Sequence, residues 1–188
     1  ERQVARMVTR FVERAHYSRL SLDDSLSEAT LKTYLEALDG NRHYFLQSDI
    51  AYFARYKTTL DDSLRRGDME PVFDIFRLYR LRAQQNIGYA MSLLDQEPDF
   101  ALDEDYVFAR EKLPWAATPA EMQDLWRKRV KNDALSLMLA DKTWKETGDI
   151  LRKRYQRVLD RVNELDSDDV FETFMNSFAR TLDPHSNY

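Results

Sequence analysis

The sequence predicts an all-α domain, a multi-helix bundle of about seven helices with one irregular loop near residues 98–118. Three observations predict it. Only 4 Gly and 5 Pro occur in 188 residues, which leaves few tight turns and favours long helices over many short strands. Apolar residues recur at spacings of three and four along most of the chain, the period of a helix with one buried face. No segment alternates apolar and polar residues as a half-buried strand would. The 10 Tyr, 10 Phe and 3 Trp supply bulk to fill the gaps between helices.

In order, Val4, Val8, Phe11 and Ala15 line the first helix. Ser27 is placed to cap the second, whose inner face carries Leu31, Tyr34, Leu35 and Leu38 and whose end is Asp39-Gly40-Asn41. A third runs from about Ser48 through Ile50, Phe53, Leu60 and Leu64 to Gly67. The fourth and longest opens with Asp68 as cap and Pro71 in its first turn, where a missing N–H costs little. It continues through Val72, Phe76, Tyr79, Ala83, Ile87, Ala90 and Leu94 to Glu97-Pro98. Gly88 lies inside it, which implies a close neighbour or a bend.

Residues 98–118 break the period, with room for one short helix, and Tyr106, Phe108 and Trp115 are expected to pin them to the bundle. Thr118-Pro119-Ala120-Glu121 is a capping box with Pro at the first helical position. It opens a helix striped by Met122, Leu125, Trp126, Val130, Leu137 and Met138. A sixth carries Leu151, Tyr155, Val158, Val162 and Leu165. A seventh starts at Ser167-Asp168-Asp169, carries Phe171, Phe174, Met175, Phe178 and Leu182, and stops at Asp183-Pro184.

Composition narrows the function classes. With no cysteine, neither a disulfide framework nor a thiolate metal site can form. No apolar run approaches the roughly 18 to 20 residues of a membrane span, so no transmembrane helix is expected. A chain that begins at Glu1 without Met or a signal-peptide pattern reads as a processed or excised segment. The net charge of −5 is uneven: residues 127–161 hold 11 Lys/Arg against 5 Asp/Glu.

Motifs that carry chemistry are missing. There is no G-x-S-x-G elbow and no S-x-x-K pair, and Ser186 directly after His185 does not give triad geometry. Glu13 and His16 make a single E-x-x-H step where a di-iron bundle needs two plus two further carboxylates. His43 and His185 stand outside any such context. No catalytic residue, metal site or cofactor is expected.

Two surfaces are candidates for a partner. Arg152, Lys153, Arg154 and Arg157 extend a basic stretch that begins at Arg127, Lys128, Arg129 and Lys131. Acidic residues interrupt it and the whole chain is acidic, so nucleic acid is not the expected partner. Tyr52 and Tyr56 lie off the main apolar stripe and suit an exposed docking patch. Residues alone thus describe a helical interaction or scaffold domain, of which a free-standing adaptor is one form.

The end of the chain goes further. Ser167 to Tyr188, and above all Asp183-Pro184-His185-Ser186-Asn187-Tyr188, resembles the stretch before the PDZ domain in carboxyl-terminal processing proteases. Upstream, Asn41-Arg42-His43-Tyr44-Phe45-Leu46-Gln47-Ser48-Asp49-Ile50, Gly67-Asp68-Met69-Glu70-Pro71, Leu113-Pro114-Trp115 and Leu125-Trp126-Arg127-Lys128-Arg129 resemble the periplasmic tail-specific branch. The similarity spans essentially the whole chain. It implies a serine endopeptidase that trims or degrades proteins from apolar C-termini, a PDZ domain that captures the tail by strand addition, and a Ser–Lys dyad whose lysine is kept neutral by burial. Residues 1–182 would be the N-terminal helical domain, and 183–188, with Asp183, Pro184, His185 and Tyr188 as boundary motif, the start of the connection to a PDZ domain absent from this chain. The implied partners are the protein's own PDZ and protease domains, substrates with apolar C-termini and an adaptor protein. The implied location is the periplasm.

Overall fold

A computed structural model describes residues 1–15 and 23–182 of the chain. The described elements are α1 (Arg2–Ala15), α2 (Asp24–Asp39), α3 (Gln47–Phe53), a 3-10 turn (Ala54–Tyr56), α4 (Leu60–Arg66), α5 (Glu70–Leu93), α6 (Pro119–Met138), α7 (Trp144–Glu164) and α8 (Ser167–Leu182). No strand occurs among the described residues, and no helix there is long and apolar enough to cross a membrane. The all-α expectation holds. Where a single helix was expected from 48 to 66, α3 and α4 stand separately, because the chain leaves helical geometry at Thr59 (φ −131°, ψ −5°). The room left for a helix within 98–118 is unused.

Side-chain caps set the starts. Asp23, not Ser27, caps α2 by accepting the Leu26 N–H at 3.1 Å. Ser27 is buried, and its hydroxyl accepts the Leu60 N–H at 2.9 Å, satisfying the first donor of α4 from a distant part of the chain. Thr118 caps α6 as expected by accepting the Glu121 N–H, while Glu121 reaches one residue past the cap, to the Ala117 N–H, rather than to Thr118 itself. An unexpected box opens α7, where Thr143 accepts from Glu146 N–H and Glu146 accepts from Thr143 N–H. Asp166 caps α8, accepting from the N–H groups of Asp168 and Asp169.

The chain forms two compact units: unit 1 is 1–40, 49–78 and 165–188, and unit 2 is 41–48 and 79–164. In unit 1, α2 packs on α4 and α8, and α1 on α4. The buried face of α1 is Ala5, Thr9 and Val12 rather than the Val4 and Val8 line, both of which are only half-buried; the Phe11 and Ala15 side chains lie outside the described residues. Tyr34 meets Phe174 edge to face at 5.3 Å, and both are fully buried, each worth about 1.5–3 kcal/mol of removed apolar surface. Gly67 closes α4 in a Schellman motif. Its φ is +68°, its N–H bonds Leu64 O, and Asp68 N–H bonds Ser63 O. A Cβ there would also sit 2.7 Å from the Arg2 carbonyl oxygen. Gly88 has no such reason: a Cβ would meet nothing within 4 Å.

In unit 2, α6 and α7 pack on one another around Trp126, Val130, Leu151 and Tyr155, joined by Ile87, Ala90 and Leu94 of the α5 side. Two expected contributors differ. Val158 is 38% exposed and Phe108 is 67% exposed, so neither anchors the core.

Candidate functional site

Residues 94–118 carry no helix, so their backbone and side-chain polar groups need partners elsewhere. Three attachments supply them. Gln47 N–H donates to Ala116 O at 2.9 Å, and the Gln47 side chain donates to Trp115 O at 2.9 Å. The His43 ring nitrogen Nε2 lies 2.9 Å from the Tyr106 hydroxyl. Glu104 accepts from Arg127 Nη1 at 3.0 Å and from Lys131 Nζ at 2.8 Å, and Lys131 also reaches Leu102 O. Hydrogen bonds from Arg127, then Lys131, hold the Glu104 carboxyl down at about 2. The basic stretch of α6 is thus spent within the fold: Arg127 and Lys128 also hold Asp124.

Below the loop, His43 is buried beside Trp126, whose Nε1–H donates to His43 O at 2.7 Å; Asn86 donates to the same carbonyl. Burial, then the positive charges of Arg129 and Arg110, lower the His43 imidazole to about 3, so it is neutral at neutral pH. Arg42, its neighbour, adopts a left-handed φ of 56° and sets its guanidinium 4.1 Å over the Trp115 ring. Arg129 lies 4.6 Å over Trp126. A left-handed non-glycine residue costs about 1–2 kcal/mol and persists where its surroundings fix it. Composition and periodicity did not single out Arg42 or Arg110; Arg129 was read only as part of the basic stretch, and Arg42, His43 and Arg129 stand in segments with family resemblance.

The residues singled out beforehand fall in separate units. Tyr52 and Tyr56 belong to unit 1, where both hydroxyls donate to Asp74 Oδ2, at 2.9 and 2.6 Å. Arg77 holds the other oxygen, and Arg55 lies 3.8 Å over the Tyr52 ring. Burial works to raise Asp74, but hydrogen bonds from Tyr56, Tyr52 and Arg77 outweigh it and keep the carboxyl low. Arg152, Lys153, Arg154 and Arg157 stand exposed on α7 in unit 2, with Arg152 paired to Asp95. Asp183, Pro184, His185 and Tyr188, like His16, lie outside the described residues, as does the Glu13 side chain. Among the described residues no group of three or more His, Asp or Glu is placed to hold a metal ion.

Helices closed by side-chain caps, with one long loop tied down by ion pairs and aromatic contacts, define this chain as an all-helical bundle domain. It matches the family described as the tail specific protease N-terminal domain over residues 8–188, and it belongs to that family. It is 40% identical over 184 residues to the tail-specific protease of Haemophilus influenzae (strain ATCC 51907 / DSM 11121 / KW20 / Rd), an alignment covering 97% of this chain and 26% of that protein. The chain therefore spans about a quarter of the length of the curated relative it matches.

Proposed function

We propose that this chain is the accessory front end of a larger serine endopeptidase that degrades or processes proteins from exposed, apolar C-terminal tails. The observation that carries the reading is the near-complete match to a tail-specific protease N-terminal domain, together with a relative of which this chain corresponds to only 26%. In this reading the domain packs on the protease core and offers a surface to substrates or an adaptor, and catalysis belongs elsewhere. A PDZ domain beyond residues 183–188 captures the tail by strand addition, and a Ser–Lys dyad performs the acyl chemistry. The compartment is the periplasm. Exposed Arg152, Lys153, Arg154 and Arg157, and the Tyr52–Tyr56 patch, are the surfaces on which partners dock.

The test is the mass of the intact gene product and its action on a protein with an apolar C-terminal tail. A product several hundred residues longer that cleaves the tailed protein, and spares the same protein with a charged tail, is the expected result. A product ending near Tyr188 without such activity overturns the reading and leaves a free-standing helical adaptor.

A further inference from the structure

The two basic helices of unit 2 treat their cations differently. On α6 the acids are placed to receive them: Asp124 pairs with Arg127 three residues on and with Lys128 four residues on, and Glu104 holds Lys131. Arg129 lies over the Trp126 ring. On α7, Arg152 is paired to Asp95, but Lys153, Arg154, Arg157 and Arg161 are exposed and have no ion pair or hydrogen bond from their side chains among the described residues.

The spacing makes this costly for the helix itself. Lys153 and Arg161 each stand four residues from Arg157, and Arg154 stands three from it. Like charges at those spacings are neighbours on a helix surface and destabilise it. Arg154 has no carboxylate three or four residues away on α7. Asp149, Asp160 and Glu164 stand within a turn of Lys153, Arg157 and Arg161, yet none forms an ion pair among the described residues, and Asp160 accepts from Gln156 at 2.7 Å instead. Glu146 is taken up in the cap of α7, and Asp133 of α6 takes the Tyr155 hydroxyl. Among the arginines sits Val158, 38% exposed. Ile150, Arg154 and Val158 follow one another at steps of four, the ridge along which helices pack.

We propose that this stripe of α7 docks an acidic helix of another protein, which sets carboxylates one turn apart on Arg154, Arg157 and Arg161 and an apolar side chain on Val158. Charge complementarity argues for this occupant. Carboxylates turn each like-charge pair into a bridged one, and a guanidinium fork accepts them in two parallel bonds. Arg154 to Arg161 covers two turns, about 10 Å, which acidic residues at steps of three and four on a second helix match. A nucleic acid fits less well, since its continuous run of phosphates would meet Asp149, Asp160 and Glu164 and would gain nothing from Val158. The inference deepens the docking role proposed above by naming the partner's chemistry, and rests on that reading only for the larger protein in which the partner is met.

The test reads binding rather than proteolysis, so either reading can fail while the other stands. The full chain is titrated calorimetrically with a capped peptide of repeated Glu-Leu-Ala-Glu-Glu-Leu-Ala, with its Glu-to-Gln form, and with a scrambled peptide of the same composition whose Glu residues do not share a helix face. The acidic helix is expected to bind saturably, one per chain, and the Gln form about tenfold more weakly, the loss of several exposed ion pairs together. The scrambled peptide binds more weakly as well. Arg154→Gln combined with Arg157→Gln reproduces the loss, Val158→Ser weakens binding, and Lys145→Gln at the exposed start of α7 changes nothing. Arg157→Gln alone is expected to leave the thermal midpoint of the free chain unchanged or higher, because it relieves repulsion. A lower midpoint would show that Arg157 has an internal partner and would overturn the proposal. Equal binding of the acidic helix and either control, or no saturable binding, overturns it too. So does an oligothymidylate that binds more tightly than the acidic helix and displaces it, which would mark a nucleic-acid face.

Discussion

Where α2 meets α8 in unit 1, Tyr34 and Phe174 pack edge to face and Thr33 and Thr181 meet beside them. The seam is made by side chains repeating along two helices. The loop from residue 94 to 118 in unit 2 has no repeating face. It is tied by Glu104 to Arg127 and Lys131, by Tyr106 to His43, and by the Ala116 and Trp115 carbonyls to Gln47. A seam of apolar area is spread over many atoms and insensitive to pH, whereas an ionic strap is local and titrates. The two regions should therefore fail in different ways.

The largest effect is expected from the apolar seam. Phe174→Ala removes a fully buried ring and should cost about 3–5 kcal/mol of unfolding free energy, read by urea denaturation. A loss under about 1 kcal/mol would show that the seam collapses without penalty and that the contrast with the loop is wrong. Next comes Gly67→Ala, which forces a side chain into φ +68° and against the Arg2 carbonyl oxygen. About 2 kcal/mol or more should be lost. Gly88→Ala is its opposite, because the position is helical, exposed and open. Thermal unfolding should show a gain approaching about 1 kcal/mol, and a loss there would reveal a contact this fold does not contain.

The smallest effect on global stability is expected at the strap. Glu104→Gln should leave the denaturation midpoint nearly unchanged while speeding amide exchange within residues 94–118. The sign with pH follows from the carboxyl being held at about 2 rather than its usual 4.5. The strap is fully present above pH 4.5 and is lost as pH falls from there toward 2. Protection of the loop in the native chain should decline across that window, and Glu104→Gln should abolish the dependence. Exchange that changes equally throughout α6 and α8 would mean that the loop is not separately held.

The same contrast explains what the sequence made legible. Helices with repeating apolar faces were readable as such, and the Thr118 cap, the Gly67 stop and the α8 start at Ser167 stand where spacing and turn chemistry put them. The break between α3 and α4 was not readable, because Phe53, Leu60 and Leu64 keep a helical period across it. Neither was the role of Ser27, whose partner at Leu60 lies 33 residues on. Basic residues of α6 read as part of a candidate partner surface because Glu104, which neutralises Arg127 and Lys131, lies on a loop without a period. Arg110 had no signal at all: its Nε is buried without a hydrogen-bond partner among the described residues, a property of the folded surroundings that one sequence does not display.

The central claim is that this chain serves a tail-directed protease without performing the chemistry, and it is tested most directly by assaying the isolated chain beside the intact protein. Both are incubated with one substrate protein carrying an apolar C-terminal tail, and cleavage is followed by mass spectrometry. The account predicts cleavage by the intact protein and none by residues 1–188 alone. Cleavage by the isolated chain, or an intact protein indifferent to the tail, would contradict it.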